Sequence, residues 1–316
     1  MSHPELSLSH IEGATHVIDP IFRNTPQFVH DQITDWLGRE VLLKVETVNP
    51  IRSFKGRGAD FFLRRLHDHP EVVCATAGNF GQGLAYTARR LGVDLHVFTA
   101  TNAVETKIER MRALGATVTL AGADYDASKD AALDYVAGCD DRIYVEDGRE
   151  PEIAEGAGTI AIELLAAGPL DAVVVPVGNG ALISGMGRWI KAMSPGTRVI
   201  GVCAAGAPAM ERSWRTGQPT PTERIDTIAD GIGVRVPIPV AVRWMEKVVD
   251  DVLLVDDEAI RTALRAAWTA LGLVLEPAAV AGLAAIREHD ISGGRIATIL
   301  TGGNIRADLL ASLNDR

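Results

Sequence analysis

Lys55 is the residue with the clearest potential for covalent chemistry. It stands within residues 53–58, sequence SFKGRG, where small or flexible residues surround it. Apolar residues then recur at helical spacing, so the pattern predicts a helix that begins near Lys55. An amine at such a loop-to-helix junction can face a cavity while a rigid element holds it, which suits Schiff-base chemistry. The other interpretation is a solvated surface lysine beside glycine. The apolar face consists of Ala59, Phe62, Leu63 and Leu66.

A turn of small residues at 76–83, sequence TAGNFGQG, is the second chemical signal. It follows the apolar run 72–75 and precedes a helical pattern that carries Leu84, Ala85, Ala88 and Leu91 on one side. The start of such a helix leaves backbone N–H groups unpaired, and these bind a carboxylate or a phosphate without a cationic side chain. An ordinary strand-to-helix turn, rich in glycine for steric reasons, is the competing interpretation.

Two further strand ends carry small residues or a hydroxyl. The β-branched run at 173–177 reads as a buried parallel strand, and Gly178, Gly180 and Ala181 then let the backbone approach a phosphate at a helix N-terminus. The run 296–300 ends in Thr301 and two glycines. Thr301 either caps the following turn or offers its hydroxyl to a heteroaromatic nitrogen.

Taken in this order, the four stretches resemble the fold-type II family of pyridoxal-phosphate enzymes. The resemblance is closest to threonine and serine dehydratases, with serine racemase and threonine synthase as relatives. It extends from residues 23–26, sequence RNTP, to residues 301–304, sequence TGGN. Intermediate matches lie at residues 43–46, 155–159, 229–231 and 275–277.

The resemblance implies an α/β fold with two domains, similar to the β subunit of tryptophan synthase, in which helices flank parallel twisted sheets. Residues 1–70 and 148–316 would form a large cofactor-binding domain, with a small domain, 71–147, inserted in it. The cofactor, pyridoxal 5′-phosphate, would lie in the cleft between them. The family also implies a homodimer. The chain ends soon after Thr301, so we expect no C-terminal regulatory domain.

The same resemblance assigns roles to individual residues. Lys55 would bind the cofactor covalently and, once displaced by the substrate amine, act as general base at the substrate Cα. Phe54 would pack near the ring, Asn79 would bond its hydroxyl and Thr301 would meet its nitrogen. The phosphate would be held by Gly178, Asn179, Gly180, Ala181 and Leu182. The substrate would be bound by Ser53, Thr76, Ala77, Gly78, Asn79 and Phe80.

The activity implied is an ammonia-lyase that converts L-threonine or L-serine to a 2-oxo acid and ammonia. A hydroxyl at Thr301 does not enforce a protonated ring nitrogen as a carboxylate would, and this favours rapid loss of a β-substituent. The alternative is a threonine-synthase-like or β-replacement transferase, which the Asn49-Pro50 start and Gly178-Asn179 favour. A third hypothesis is a non-catalytic protein that binds a phosphorylated ligand, which Lys55 argues against.

Departures from the family pattern narrow the chemistry. Ala77 stands where serine racemase has the serine that serves the opposite face of Cα, so amino-acid racemisation is disfavoured. Cys203, Ala207 and Ala209 stand where the metal-dependent branch has carboxylates, so we expect no metal site. Arg52 and Arg149 are either solvated or reach an anionic group on the substrate.

Composition restricts the remaining function classes. The chain has 316 residues, 47% hydrophobic and 23% charged, which fits a globular α/β protein. A net charge of −10 without blocks of like charge argues against nucleic-acid and membrane partners. Three dispersed cysteines argue against a disulfide framework. The first five residues, 1–5, lack a signal-peptide pattern, so we expect a cytoplasmic protein.

The elements that must position these residues alternate between strand and helix patterns, which indicates a mostly parallel sheet with helices on both faces. Asp256 or Asp257 is predicted to cap a helix, Pro277 to begin the first turn of another, and residues 212–224 to form a surface loop. Predicted strands are Val41–Val45, Val72–Ala75, Leu95–Thr99, Thr117–Leu120, Ile143–Val145, Ala172–Val177, Val199–Cys203, Val252–Val255 and Ile296–Leu300. Predicted helix faces are Val104, Ile108 and Met111; Ala157, Ile160, Ala161, Leu164 and Leu165; Leu182, Met186, Trp189, Ile190 and Met193; and Ile260, Ala263, Leu264, Ala267 and Leu271.

Overall fold

The computed structural model describes residues 5–68, 70–103 and 105–313. Within these residues, ten strands form two sheets, and α-helices surround them. The strands are β1 (Gln27–Phe28), β2 (Val41–Val45), β3 (Glu71–Ala75), β4 (Leu95–Thr99), β5 (Thr117–Leu120), β6 (Arg142–Tyr144), β7 (Ala172–Pro176), β8 (Arg198–Ala204), β9 (Asp251–Val255) and β10 (Ile296–Leu300). The helices are α1 (Leu8–Val17), α2 (Asp31–Leu37), α3 (Lys55–Arg65), α4 (Asn79–Leu91), α5 (Glu105–Ala113), α6 (Tyr125–Val136), α7 (Pro151–Leu165), α8 (Ala181–Met193), α9 (Ala209–Thr216), α10 (Pro239–Val248), α11 (Asp257–Leu271), α12 (Ala281–Glu288) and α13 (Ala307–Ser312).

The larger sheet has the strand order β1-β2-β10-β7-β8-β9, and only its edge strand β1 pairs antiparallel. The smaller sheet has the order β5-β4-β3-β6 and is parallel throughout. The predicted α/β fold with parallel sheets flanked by helices is therefore confirmed. The smaller sheet draws all its strands from residues 71–144, although the domain boundaries themselves stay a prediction.

All nine predicted strands occur, and each end lies within one residue of the prediction. Buried, β-branched runs give a strong local signal, which explains this agreement. The predicted caps also occur: the Asp256 side chain accepts from the Ala259 N–H, and Pro277 begins a 3-10 turn. Strand β1 was not predicted, because two residues are too few to show an alternating pattern.

Two of the helix predictions are wrong in detail, and a third concerns a residue that the structure does not describe. The segment 212–224 was predicted to be a loop, but helix α9 continues to Thr216 because it buries Met210 and Ser213 against the core. Met193 was assigned to an apolar face, but it is 54% exposed since it ends α8 at the surface. Val104 lies outside the described residues.

Helix α3 is anchored by a buried charge cluster close to Lys55. The side chain of Arg57 is fully buried and donates to two carboxylates, those of Glu46 and Glu163, at 2.6–2.9 Å. Lys44 Nζ donates to the Glu163 carboxylate at 2.7 Å. Buried charges require such partners. The cluster therefore ties the first turn of α3 to β2 and α7, and fixes where Lys55 begins the helix.

Helices α7 and α8 pack closely against each other. A side chain at Gly185 would collide with the carbonyl oxygen of Ala154, so the two helices approach as closely as their backbones allow.

All three cysteines are free. Among the described residues, no helix combines the length and apolar character that crossing a bilayer requires.

Candidate active site

A cavity of about 690 Å³ lies where the strands of both sheets end. Its walls come from segments that follow β3, β4, β5, β6, β7 and β10, together with the start of α3, residues within 223–236, and Glu276 and Ala278. Parallel α/β sheets bind ligands beyond the carboxyl ends of their strands, and the volume suits a cofactor with a small substrate. We call this space the central cavity.

Three helices whose N-cap residue makes no side-chain cap begin at the central cavity. Helices α3, α4 and α8 begin at Lys55, Asn79 and Ala181, and all three residues line it. The preceding cap residues make no side-chain hydrogen bond to these helices. The first backbone N–H groups of α4 and α8 therefore offer partial positive charge to anions, whereas the first N–H group of α3 donates to the Ser53 hydroxyl.

The turn before α8 has the form of a phosphate cradle. Gly180 has a φ of +90°, a left-handed conformation that glycine adopts without strain. A side chain at Gly178 would press on the carbonyl oxygen of Gly231. These glycines keep the wall open and the backbone exposed, so the residues present fit a phosphate-bearing cofactor.

Lys55 lies in this cavity and contacts Asp147. Its Nζ donates to Asp147 Oδ2 at 2.5 Å, and both side chains are largely buried. The other oxygen, Oδ1, is buried and has no hydrogen-bond partner within the described residues. Gly148 packs so tightly on Asn179 that a side chain there would collide with it, and this holds the loop that carries Asp147 in place. A carboxylate thus stands within reach of any group that reacts at Lys55.

Asn79 is held by two side chains that are distant from it in sequence. Its Nδ2 donates to Glu276 Oε1 and its Oδ1 accepts from Asn304 Nδ2, both at 2.7 Å. Burial raises the pKa of Glu276 to about 7, and the nearby Asp230 adds to this, while Lys107 and the Asn79 hydrogen bond oppose it. Glu276 therefore binds a proton far more readily than an exposed carboxylate.

Ion pairs connect the two sides of the cavity. Lys107 of α5 bonds Asp230 at 2.6 Å, and Asp126 of α6 pairs with Arg235. All four residues line the central cavity, and each pair joins the part of the chain near the smaller sheet to the segment 218–238. The pairs therefore link these two parts of the chain at the cavity wall.

The central cavity brings together almost all of the predicted site residues. Ser53 is the exception: it is fully buried behind Lys55, whose backbone N–H donates to its hydroxyl at 3.3 Å. The assigned roles stay predictions, since position alone does not test them. Residues that line the cavity as predicted are Phe54, Lys55, Thr76, Ala77, Gly78, Asn79, Phe80, Gly178, Asn179, Gly180, Ala181, Leu182 and Thr301.

The sequence prediction missed Asp147, Glu276, Lys107 and Asp230 as cavity residues. Asp147 has a signal in the sequence, because it follows the predicted strand that ends at Val145, as the motif residues follow their strands. Arg52 and Arg149, for which the sequence allowed either a solvated position or a contact with the substrate, are absent from the described cavity walls. Arg52 instead donates to Val274 O at 3.4 Å.

No group of three or more histidine, cysteine, aspartate or glutamate side chains in the described part of the chain could hold a metal ion. The expectation of a metal-free site stays a prediction.

Comparison with known proteins adds a family match to this geometry. The family model described as "Pyridoxal-phosphate dependent enzyme" matches residues 18–302. The L-threonine ammonia-lyase of Thermotoga maritima is 33% identical over 310 residues, which cover 96% of this chain and 77% of that protein.

Solved structures show the same similarity. A threonine deaminase from T.th. superposes with a TM-score of 0.89 at 31% identity, over 95% of this chain and 99% of that one. Maize serine racemase superposes with a TM-score of 0.90 at 25% identity, over 98% of this chain and 97% of that one.

Proposed function

We propose, since the chain belongs to the family of pyridoxal-phosphate dependent enzymes, that it is an ammonia-lyase for a β-hydroxy amino acid. L-threonine or L-serine would be converted to a 2-oxo acid and ammonia. The family that the four motifs predicted is confirmed, and with it the cofactor. The observation that carries the proposal is the position of the Lys55 amine in one cavity with the uncapped starts of α4 and α8.

The wall residues suit the parts of the cofactor, which supplies an electron sink for charge at the substrate Cα. Lys55 would hold it covalently, with Phe54 packed near its ring. The exposed backbone of residues 178–182 would bind the phosphate. Asn79 and Thr301 would bond the ring oxygen and the ring nitrogen.

The remaining residues would bind substrate and move its proton. Backbone N–H groups at residues 76–80 offer a site for the substrate carboxylate, because helix α4 begins there without a side-chain cap. Once the substrate amine has displaced Lys55 from the cofactor, the Lys55 amine would take the proton from Cα. Asp147, 2.5 Å from this amine, would bond the resulting ammonium.

The competing functions have less support. The Asn49-Pro50 start, which favoured a threonine-synthase-like or β-replacement enzyme, has a structural explanation: Asn49 Nδ2 donates to the carbonyl oxygens of Glu46 and Ser53 and so shapes the turn before α3. Racemisation needs a proton carrier on both faces of Cα, and Ala77 has none. Elimination needs only Lys55 and departure of the hydroxyl.

Two measurements test the proposal. Purified protein is screened with L-threonine, L-serine and phosphate esters of hydroxy amino acids, and 2-oxo acid and ammonia are quantified. Lys55→Ala is compared with Lys247→Ala, an exposed lysine paired with Glu5, for cofactor that borohydride fixes to the protein. We expect elimination by the unmodified protein and loss of fixation in Lys55→Ala alone. Fixation that persists in Lys55→Ala, or ester-dependent replacement without 2-oxo acid, would contradict the proposal.

The organisation of the protein completes the proposal. We propose a large domain of residues 1–70 and 148–316 and a small domain of residues 71–147, a division that the two separate sheets support. We also propose that the protein is a homodimer, which light scattering can test. We propose a cytoplasmic location, which cell fractionation can test.

A further inference from the structure

A chain of hydrogen bonds runs from helix α5 to the wall of the central cavity. Arg110 Nη1 donates to Asn304 Oδ1 at 2.6 Å, and Asn304 Nδ2 donates to Asn79 Oδ1 at 2.7 Å. Asn79 Nδ2 then donates to Glu276 Oε1 at 2.7 Å. Arg110 does not line the cavity itself, so it acts on the site through the residues that it contacts.

The direction of this chain is determined at Asn304, by Arg110 on one side and the Ile51 carbonyl oxygen on the other. A guanidinium has five donors and no acceptor, so the Asn304 oxygen must face Arg110. The amide nitrogen of Asn304 then faces Asn79 and the Ile51 carbonyl oxygen, 2.9 Å away, and both of its protons are used. Asn79 must therefore turn its oxygen toward Asn304 and its nitrogen toward Glu276.

Glu276 cannot set this direction. Its pKa is raised to about 7, so its carboxyl group offers either an acceptor or a donor at neutral pH. Without the arginine, only the Ile51 carbonyl oxygen would oppose a half-turn of the Asn304 amide, and with it of the Asn79 amide. With the arginine, one Nδ2 proton of Asn79 bonds Glu276 and the second is left for a ligand in the cavity that Asn79 lines.

We propose that Arg110 is a positioning residue that acts through Asn304 and holds the Asn79 amide with an N–H, not a carbonyl, toward the ring oxygen of bound pyridoxal phosphate. The inference rests on the proposed placement of the cofactor at Lys55 and Asn79. Arg110 also donates to the Pro50 carbonyl oxygen at 3.2 Å, in the turn before Lys55. Helix α5, beside the smaller sheet, thereby contributes to cofactor recognition.

Three variants of the full chain test this role. Arg110→Met keeps the length of the side chain and removes every donor. Arg110→Lys keeps a donor and should restore part of the effect. Asn304→Asp keeps an acceptor for Arg110 but replaces the amide nitrogen that faces Asn79. The matched control is Arg112→Met, an exposed arginine on the same helix that pairs with Glu105.

The measurements are the dissociation constant of pyridoxal phosphate from stripped protein and the absorption spectrum of the bound cofactor across pH. We expect Arg110→Met and Asn304→Asp to weaken cofactor binding roughly 5- to 30-fold, the range for one misdirected hydrogen bond. Both should shift the absorption maximum or its pH dependence. Arg110→Lys should fall between these variants and the unmodified protein, and Arg112→Met should match the unmodified protein.

Unchanged affinity and spectrum in folded Arg110→Met and Asn304→Asp would overturn the inference, and so would a loss of thermal stability alone. An effect equal in Arg112→Met would also overturn it, since the cause would then be the charge of α5. Failure of the cofactor placement is a separate result: borohydride would still fix cofactor to Lys55→Ala, whatever Arg110 does.

Discussion

Replacing Glu163 by glutamine should destabilise the protein strongly, because the buried cluster beneath Lys55 would lose one of its two carboxylates. Glu163 accepts from Arg57 at 2.6 and 2.9 Å and from Lys44 at 2.7 Å. Both cations are almost completely buried. A glutamine keeps the shape of the side chain, but its NH2 group would face the N–H donors of Arg57 or Lys44. Glu46 would remain as the carboxylate partner of Arg57.

The pKa of Glu163 gives the magnitude. Burial alone would raise this pKa, but the hydrogen bonds and charges of Arg57 and Lys44 outweigh burial and lower it from 4.5 to about 2. One pKa unit corresponds to about 1.4 kcal/mol, so the ionised carboxylate contributes about 3 kcal/mol at pH 7. Removing one partner from a buried ion pair costs about 3–5 kcal/mol, in agreement.

The sign of the pH dependence follows from the lowered pKa. Stabilisation by Glu163 is fully present above pH 4.5, the unfolded value, and is lost as pH falls toward 2. The difference in unfolding free energy between the unmodified protein and Glu163→Gln should therefore shrink from about 3 kcal/mol at pH 7 to about 1.5 kcal/mol at pH 3.

Urea unfolding followed by circular dichroism at both pH values measures this difference. Glu12→Gln, a glutamate exposed on α1, makes the same chemical change at the surface and should alter stability by less than about 0.5 kcal/mol. A difference below about 1 kcal/mol at pH 7, or one that does not change with pH, would refute the reasoning.

Three further predictions concern the site. Ala77→Ser should introduce some racemase activity, because it adds a proton carrier across the substrate from Lys55; chiral chromatography measures this, and D-serine formed by the unmodified protein as fast as pyruvate would contradict it. Chelators should leave activity unchanged, since Cys203 and two alanines replace the oxygen ligands that magnesium needs; activity lost with a chelator and restored by magnesium would show the opposite. Because the pKa of Glu276 is raised to about 7, the native protein should lose stability as pH rises from 4.5 through 7. Glu276→Gln should reduce this loss between pH 5 and pH 8 by about 2–3 kcal/mol. Parallel curves of unfolding free energy against pH for the two proteins would exclude this.

Local sequence patterns determined most of the fold and the composition of the site. The apolar face that starts after Lys55 was sufficient to predict a helix beginning at that residue, because helical spacing is a property of neighbouring residues. The strand before Gly178 was predictable for the same reason, since a continuous apolar run marks a buried parallel strand. Parallel strands end on one edge of a sheet, so residues that follow them meet in one cavity.

Only the tertiary structure decided which side chains touch within that cavity. Asp147 meets Lys55 across 92 residues of sequence, and Asn79 meets Glu276 across 197. Neither pair has a shared period or motif, because each contact depends on how the two sheets pack and where the loops between them turn. The buried charges around Arg57 and the direction of the Asn79 amide arise in the same way, from partners that folding brings within hydrogen-bond distance.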